Sequence, residues 1–124
     1  MRALFDTNIV IDYLNGVEAA KAEIARYERP AISVISWIEV LAGTKPGVEA
    51  ETRTYLSTFE RIELTEKIAD RVVTLRRDAT IRVPDAIILA TARVENLLLV
   101  TRNTKDFSAD EPGIRVPYRM GPLA

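Results

Sequence analysis

Four acidic residues stand where short apolar runs give way to turns or helices: Asp6 in ALFDTN, Glu39 in SVISWIEV, Asp85 in VPDAI and Asp106 in TRNTKDF. Three of the four sites follow strand-like runs, and in a parallel sheet the ends of such runs converge on one edge. The chain contains neither histidine nor cysteine. Ser-His-Asp catalysis, imidazole and thiolate metal sites and disulfides are thereby excluded. A cluster of carboxylates repels itself and needs a positive occupant. With oxygen ligands only, the occupant that fits is a hard divalent cation, Mg²⁺ or Mn²⁺. Such a cation in an acidic cluster points to phosphodiester chemistry.

Each acid also has a structural reading of its own. Ser36-Trp37-Ile38-Glu39 has the form of a capping box, with Glu39 returning to the cap amide. Asp85 follows Pro84 at a helix start, where an acid complements the macrodipole. Asp106 can close a surface turn. Asp6 is harder to assign to structure, because Asp6, Thr7 and Asn8 place three polar side chains in a row at the mouth of the sheet. The joint reading outweighs the separate ones, since four coincidences would have to fall on one edge of one sheet.

The elements that must position these residues follow from the apolar pattern. Residues 2–5 read as a short strand and 8–15 as a helix stopped by Asn15-Gly16. Residues 17–28 read as a second helix with Val17, Ala20, Ile24 and Tyr27 on one stripe. Residues 31–35 are strand-like, and a helix is expected from Ser36 to about Gly43. Residues 48–59 read as helix and 61–64 as strand. The pattern Ile68, Val72, Leu75, Ala79 predicts an amphipathic helix over 66–79. Pro84 opens a helix to about Asn96, residues 97–101 form a strand buried on both faces, and a last strand lies near 114–116. Alternating short strands and helices predict a parallel α/β sheet with helices on both faces. All four acids can then reach one crevice. The helix at 85–95 is apolar on most sides, so it is either sandwiched inside the fold or set against a partner.

The 124 residues carry 48% apolar and 28% charged side chains, which fits one globular domain over 1–124 with one real core. The N-terminal run is broken by Asp6, Asn8 and Asp12 and reads as neither signal peptide nor membrane span. Cytoplasmic residence is the expectation, with no membrane partner. The net charge is −1, yet 13 of the 17 basic residues are arginine, among them Arg71, Arg76, Arg77, Arg82, Arg93 and Arg102. Arginine forks match phosphate geometry, so a local basic face can bind RNA on a nearly neutral protein. No glycine-rich loop is present, which argues against a nucleotide cofactor.

The segments FDTNIVIDYL, ISVISWIEVLAG, VPDAIILATA and LLLVTRNTKDF, in this order and spacing, resemble the PIN-domain ribonucleases. The resemblance is strongest to the VapC toxins of VapBC toxin–antitoxin pairs and runs through essentially the whole chain. It implies a Rossmann-like parallel sheet, a Mg²⁺ or Mn²⁺ site and endonucleolytic cleavage of single-stranded RNA, with a tRNA or rRNA loop as the substrate. It also implies a homodimer, a cognate VapB-type antitoxin, and contact with operator DNA only through that antitoxin. By position, Asp6 and Asp85 correspond to metal carboxylates, and Glu39 and Asp106 to the acids that orient water and help deprotonate it. Thr7, Asn8, Thr101 and Asn103 would hydrogen-bond the carboxylates or the scissile phosphate. The chain departs from the family at Asn103, where many members carry an acid. Whether Asn103 or Asp106 completes the site, and whether one metal or two are held, stays open.

Two other classes bear on the same residues. A haloacid-dehalogenase-type phosphatase needs a second aspartate where this chain has Asn8. A degenerate PIN-like binding module would hold a metal without cleaving RNA.

Overall fold

The computed structural model describes residues 2–120. In chain order it comprises β1 (Ala3–Phe5), α1 (Thr7–Leu14), α2 (Glu18–Ile24), β2 (Ala31–Ser33), α3 (Val34–Ala42), a 3-10 turn (Pro46–Val48), α4 (Glu49–Leu56), β3 (Glu60–Ile62), α5 (Glu66–Asp78), α6 (Val83–Val94), β4 (Leu98–Val100) and β5 (Ile114–Arg115). The strands form one sheet in the order β3-β2-β1-β4-β5, and every pairing is parallel. The α/β architecture expected from the sequence is the one observed.

Successive strand residues point to opposite faces, and the apolar runs use both. Leu4, Ala31 and Leu99 lie on one face and pack with Ile68 of α5, Ala86, Ile88 and Leu89 of α6, and Phe107. Ala3, Phe5, Ile32 and Val100 lie on the other, with Ile9 and Val10 of α1, Ala20 of α2, Leu56 of α4 and Phe59. The register keeps these rows aligned: Leu4 pairs with Ala31 and Leu99, and Phe5 with Val100. Because β1 is central and covered on both faces, its C-terminal end is enclosed. The outer strand β3 exposes Glu60 and Arg61, charges that discourage further strand addition.

Several boundaries differ from the sequence reading. The helix expected from Ser36 begins two residues earlier, at Val34. Ser33 is its N-cap and accepts from the Ile35 amide, so Ser36-Trp37-Ile38-Glu39 is not a capping box. Ser36 lies inside α3 and is fully buried. The helix read over 17–28 ends at Ile24, although Val17, Ala20, Ile24 and Tyr27 all pack into one core. The stop at Asn15-Gly16 holds: Asn15 is the C-cap, and Gly16 takes φ +83°, a conformation that favours glycine. The strand read at 61–64 is Glu60–Ile62. The apolar α6 is sandwiched within the fold, with Ala86, Ile88, Leu89, Ala90, Thr91 and Ala92 buried. Most of its apolar circumference is covered internally, while Val83 stays exposed and Ile87 and Val94 are half-buried. Among the described residues, no helix is long and apolar enough to cross a membrane.

Phe5 is fully buried and sits edge-on to Tyr27 and Phe59, with ring centroids 5.6 and 6.3 Å away. Phe5→Ala removes the last apolar residue before the sheet edge and should cost about 3–5 kcal/mol in a denaturant titration. Ile38→Ala, on the exposed side of α3, should stay within about 0.5 kcal/mol of the parent.

Candidate active site

Asp6 leaves β1 with its amide still in the sheet, bonded to the Val100 carbonyl at 2.9 Å. Its backbone then turns into α1 as the N-cap, and the carboxylate accepts from the Thr7 amide at 2.7 Å. The other oxygen accepts from the Thr101 hydroxyl at 2.7 Å and from the Asn8 amide at 3.2 Å. Thr101 follows β4, the neighbour of β1, so parallel pairing alone puts the two residues side by side. The Asp6 side chain is only 3% exposed. Burial pushes its pKa from 3.8 up to about 6; the Thr101 and Thr7 hydrogen bonds oppose that rise, and the charges of Asp85 and Glu39 add to it. The result is a carboxylate held in place by three donors and still short of positive charge.

Glu39 reaches the same edge from α3. It accepts from the Thr7 hydroxyl at 2.7 Å, and that hydroxyl also lies 2.8 Å from Ser36 Oγ. Thr7 has one hydroxyl proton and gives it to Glu39, so Ser36 donates to Thr7. Ser36 is therefore the far end of a chain of hydroxyls that fixes Glu39. The sequence carried a signal for it: Ser36 and Glu39 are three apart and share a helix face.

Asp85 is the third residue of α6. It is largely buried, and Arg82 contacts its Oδ2 through Nε and Nη2 at 3.3 and 3.2 Å. Burial raises its pKa, the Arg82 contact opposes this, and the nearby Asp106 carboxylate adds to the rise. Asn103 and Asp106 are partners: the Asn103 amide donates to Asp106 at 2.9 Å, and the Asp106 backbone amide donates to Asn103 Oδ1 at 3.2 Å. The Asn103 amide nitrogen of the backbone donates in turn to Thr101 Oγ1 at 2.9 Å.

These residues line an open cleft of about 470 Å³ formed by Asp6, Thr7, Asn8, Glu39, Asp85 and Asn103, with Arg82, Arg102 and Lys105 as its cations. Asp106 does not line it; it bears on the cleft through Asn103 and through its charge on Asp85. A larger, mainly apolar cavity of about 580 Å³ adjoins it and shares Ile11 and Glu39. Of the arginines read as RNA contacts, Arg93 pairs with Glu111 and Arg76 bonds the Ile81 carbonyl. Arg102 is committed as well: its guanidinium grips Asp12 at 2.5 and 2.9 Å, and the Tyr118 hydroxyl donates to the same carboxylate at 2.9 Å. A buried aspartate on α1 and a tyrosine more than a hundred positions away share no pattern in the chain, so sequence reasoning does not reach this set.

Among the described residues, no three acidic groups are drawn together tightly enough to enclose an ion by themselves. Mg²⁺ and Mn²⁺, which keep several waters and take one or two carboxylates, fit an open cleft with Asp6 and Asp85 at its base.

The raised pKa of Asp6 has a definite sign. The folded state binds the Asp6 proton more tightly than the unfolded chain does, so in cation-free buffer stability falls as pH rises from about 4 to about 6 and is then level. Asp6→Asn removes this term. Urea titrations in chelator should find the variant more stable than the parent above pH 6, by up to about 3 kcal/mol, with the advantage vanishing near pH 4. A pH-independent difference would show that Asp6 titrates normally.

Residues 3–110 match the PIN domain family. The chain is 34% identical over 125 residues to ribonuclease VapC10 of Mycobacterium tuberculosis, covering 94% of this chain and 93% of that one. A toxin–antitoxin complex from Klebsiella pneumoniae contains a chain with the same fold at TM-score 0.90 and 48% identity, covering 95% of this chain and 99% of that chain. The FitAcB structure from Neisseria gonorrhoeae shares the fold at TM-score 0.77 and 24% identity, over 97% and 100% of the two chains. With the family matched over most of the chain, and with the parallel sheet and clustered acids that the resemblance implied, this protein belongs to the PIN-domain family.

Proposed function

We propose that this protein is a metal-dependent endoribonuclease that cleaves single-stranded RNA, a tRNA or rRNA loop, as the toxin of a type II toxin–antitoxin pair. The observation that carries the reading is the Asp6 carboxylate: buried, fixed by Thr101 and the Thr7 amide, and facing two more acids with insufficient positive charge. The ribonuclease relative and the toxin–antitoxin neighbour support the same class.

Asp6 and Asp85 would hold Mg²⁺ or Mn²⁺, with Asp106 lending charge behind Asp85. When bound, such a cation supplies Lewis acidity at the scissile phosphate and lowers the pKa of water. Thr7 keeps Glu39 turned toward the cleft, where it accepts the proton of the attacking water. The water oxygen bonds to phosphorus as the bond to the 3′ oxygen breaks, leaving a 5′ phosphate and a 3′ hydroxyl that takes its proton from solvent. Asn8 and Asn103 hold the cleft wall through Thr101 and Asp106. A cognate antitoxin would act by covering the cleft, with operator DNA bound only through it.

Asp6→Asn and Asp85→Asn should each abolish RNA cleavage and growth inhibition while leaving the fold intact. Thr101→Val, which removes a donor to Asp6 rather than a ligand, should lower metal affinity or activity about 10- to 100-fold. Asp106→Asn should be milder than either ligand change. Near-parental cleavage by Asp6→Asn in Mg²⁺ would overturn the assignment.

Binding of Mn²⁺ to the folded cleft should stabilise the protein by about 2.7 kcal/mol at 100 times Kd, a melting shift of several degrees. Asp85→Asn should melt higher than the parent in chelator, because repulsion is relieved, and should lose most of the metal-induced rise. Glu66→Gln, at the exposed start of α5, should do neither. Equal melting of the parent in chelator and in excess Mn²⁺ would end the nuclease reading. Metal binding without cleavage of any RNA would leave the degenerate binding module.

A further inference from the structure

The three cations lining the cleft are not equivalent. Arg102 grips both oxygens of Asp12, and its side chain is 30% exposed. Arg82 uses Nε and Nη2 on a single Asp85 oxygen, at 3.3 and 3.2 Å, and its side chain is 80% exposed. That is a loose contact; a guanidinium matched to a carboxylate places two parallel bonds on two oxygens. An ion pair this exposed contributes little to stability.

Helix stability does not account for Arg82 either. It occupies the N-cap of α6, makes no side-chain capping bond, and stands where serine, threonine, aspartate or asparagine is preferred. A cation there opposes the helix dipole. Its backbone, in contrast, is well held. The preceding residue Ile81 is buried, and its carbonyl accepts from Arg76. A fixed stalk thus carries a free arm beside the acidic cluster.

We propose that Arg82 is the resident counter-ion of the cleft: it partly neutralises Asp85 in the cation-free protein, and when a divalent cation takes that carboxylate it releases Asp85 and binds a phosphate of the RNA strand. This rests on the metal-dependent nuclease reading and adds an exchange of partners to it. A divalent cation at Asp85 supplies the charge that Arg82 had supplied and repels the guanidinium at short range. The released fork stands at the cleft mouth, and its planar donors suit a phosphate. Metal and RNA backbone then bind cooperatively through one side chain, without any movement of α6.

The test compares parent, Arg82→Gln and Arg82→Lys, all in a Glu39→Gln background to suppress cleavage. Mn²⁺ affinity is measured by calorimetry without RNA. Binding of a fluorescent single-stranded RNA oligonucleotide is then followed in saturating Mn²⁺ against salt. Arg82→Gln should bind Mn²⁺ several-fold tighter than the parent, because a competing cation is gone. It should bind RNA more weakly, with the slope of log K against log salt reduced in magnitude by about 0.7, the loss of one single-strand phosphate contact. Arg82→Lys should restore the slope. An unchanged or weaker Mn²⁺ affinity in Arg82→Gln, or an unchanged salt slope, overturns the exchange and leaves the nuclease reading standing. A parent that binds no Mn²⁺ removes both.

Discussion

A carboxylate taken out of water at the end of the central strand is the constraint around which this protein is arranged. Asp6 can be buried there because β1 has a paired strand on either side and a helical layer on each face. Desolvation of the charged form is costly, and isolated hydrogen bonds do not cancel it. The Thr101 hydroxyl, the Thr7 amide and the Asn8 side chain offset part of that cost. What is left raises the pKa of Asp6. Glu39 and Asp85 approach the same edge, and their charges add to the rise.

The charged residues away from that point divide into held and free. Asp12 is bound by Arg102 and Tyr118, and Glu23 by Arg115 at 2.6 and 3.0 Å with Tyr27 alongside at 3.1 Å. Both sets join the first two helices to the end of the chain. Arg102 also sits directly after Thr101, and its backbone amide donates to Asn8. A bidentate, largely enclosed pair of this sort loses more than its own contact if one partner is removed, because the other charge is left buried and unpaired. The clamp on Arg102 therefore fixes the loop that carries Thr101 and Asn103. Arg82 is held only loosely, through a single Asp85 oxygen.

Much of this was legible in the chain. The short apolar runs, the polar residues directly after them and the absence of histidine and cysteine led to the expectation of a parallel α/β sheet with an oxygen-ligand site at the strand ends. The sheet is legible because strand propensity is a local property, and a carboxylate directly after a buried strand is placed by the strand itself. Asp6 and Thr101 are the clearest instances: each follows an apolar run, and parallel pairing brings them together without further information. The same residues carried the resemblance to the PIN family.

What the chain could not decide was which polar groups are used by one another. The motif Ser36-Trp37-Ile38-Glu39 reads locally as a cap, but β2 ends at Ser33, and the helix begins there instead. Ser36 is drawn inward to Thr7, 29 positions away. Arg102 reads locally as a phosphate contact and is consumed by Asp12, 90 positions away, whereas Arg82, no different in composition, is left exposed. The apolar α6 reads as a possible interface and is largely enclosed by its own domain. In each case a local preference of a kcal/mol or so competes with burial and pairing between distant segments, and the latter is larger. The sequence by itself determined the strands and the polar residues at their ends. The tertiary structure decided which charges are spent on the fold and which remain for the cleft, because that depends on distances between elements that no local pattern encodes.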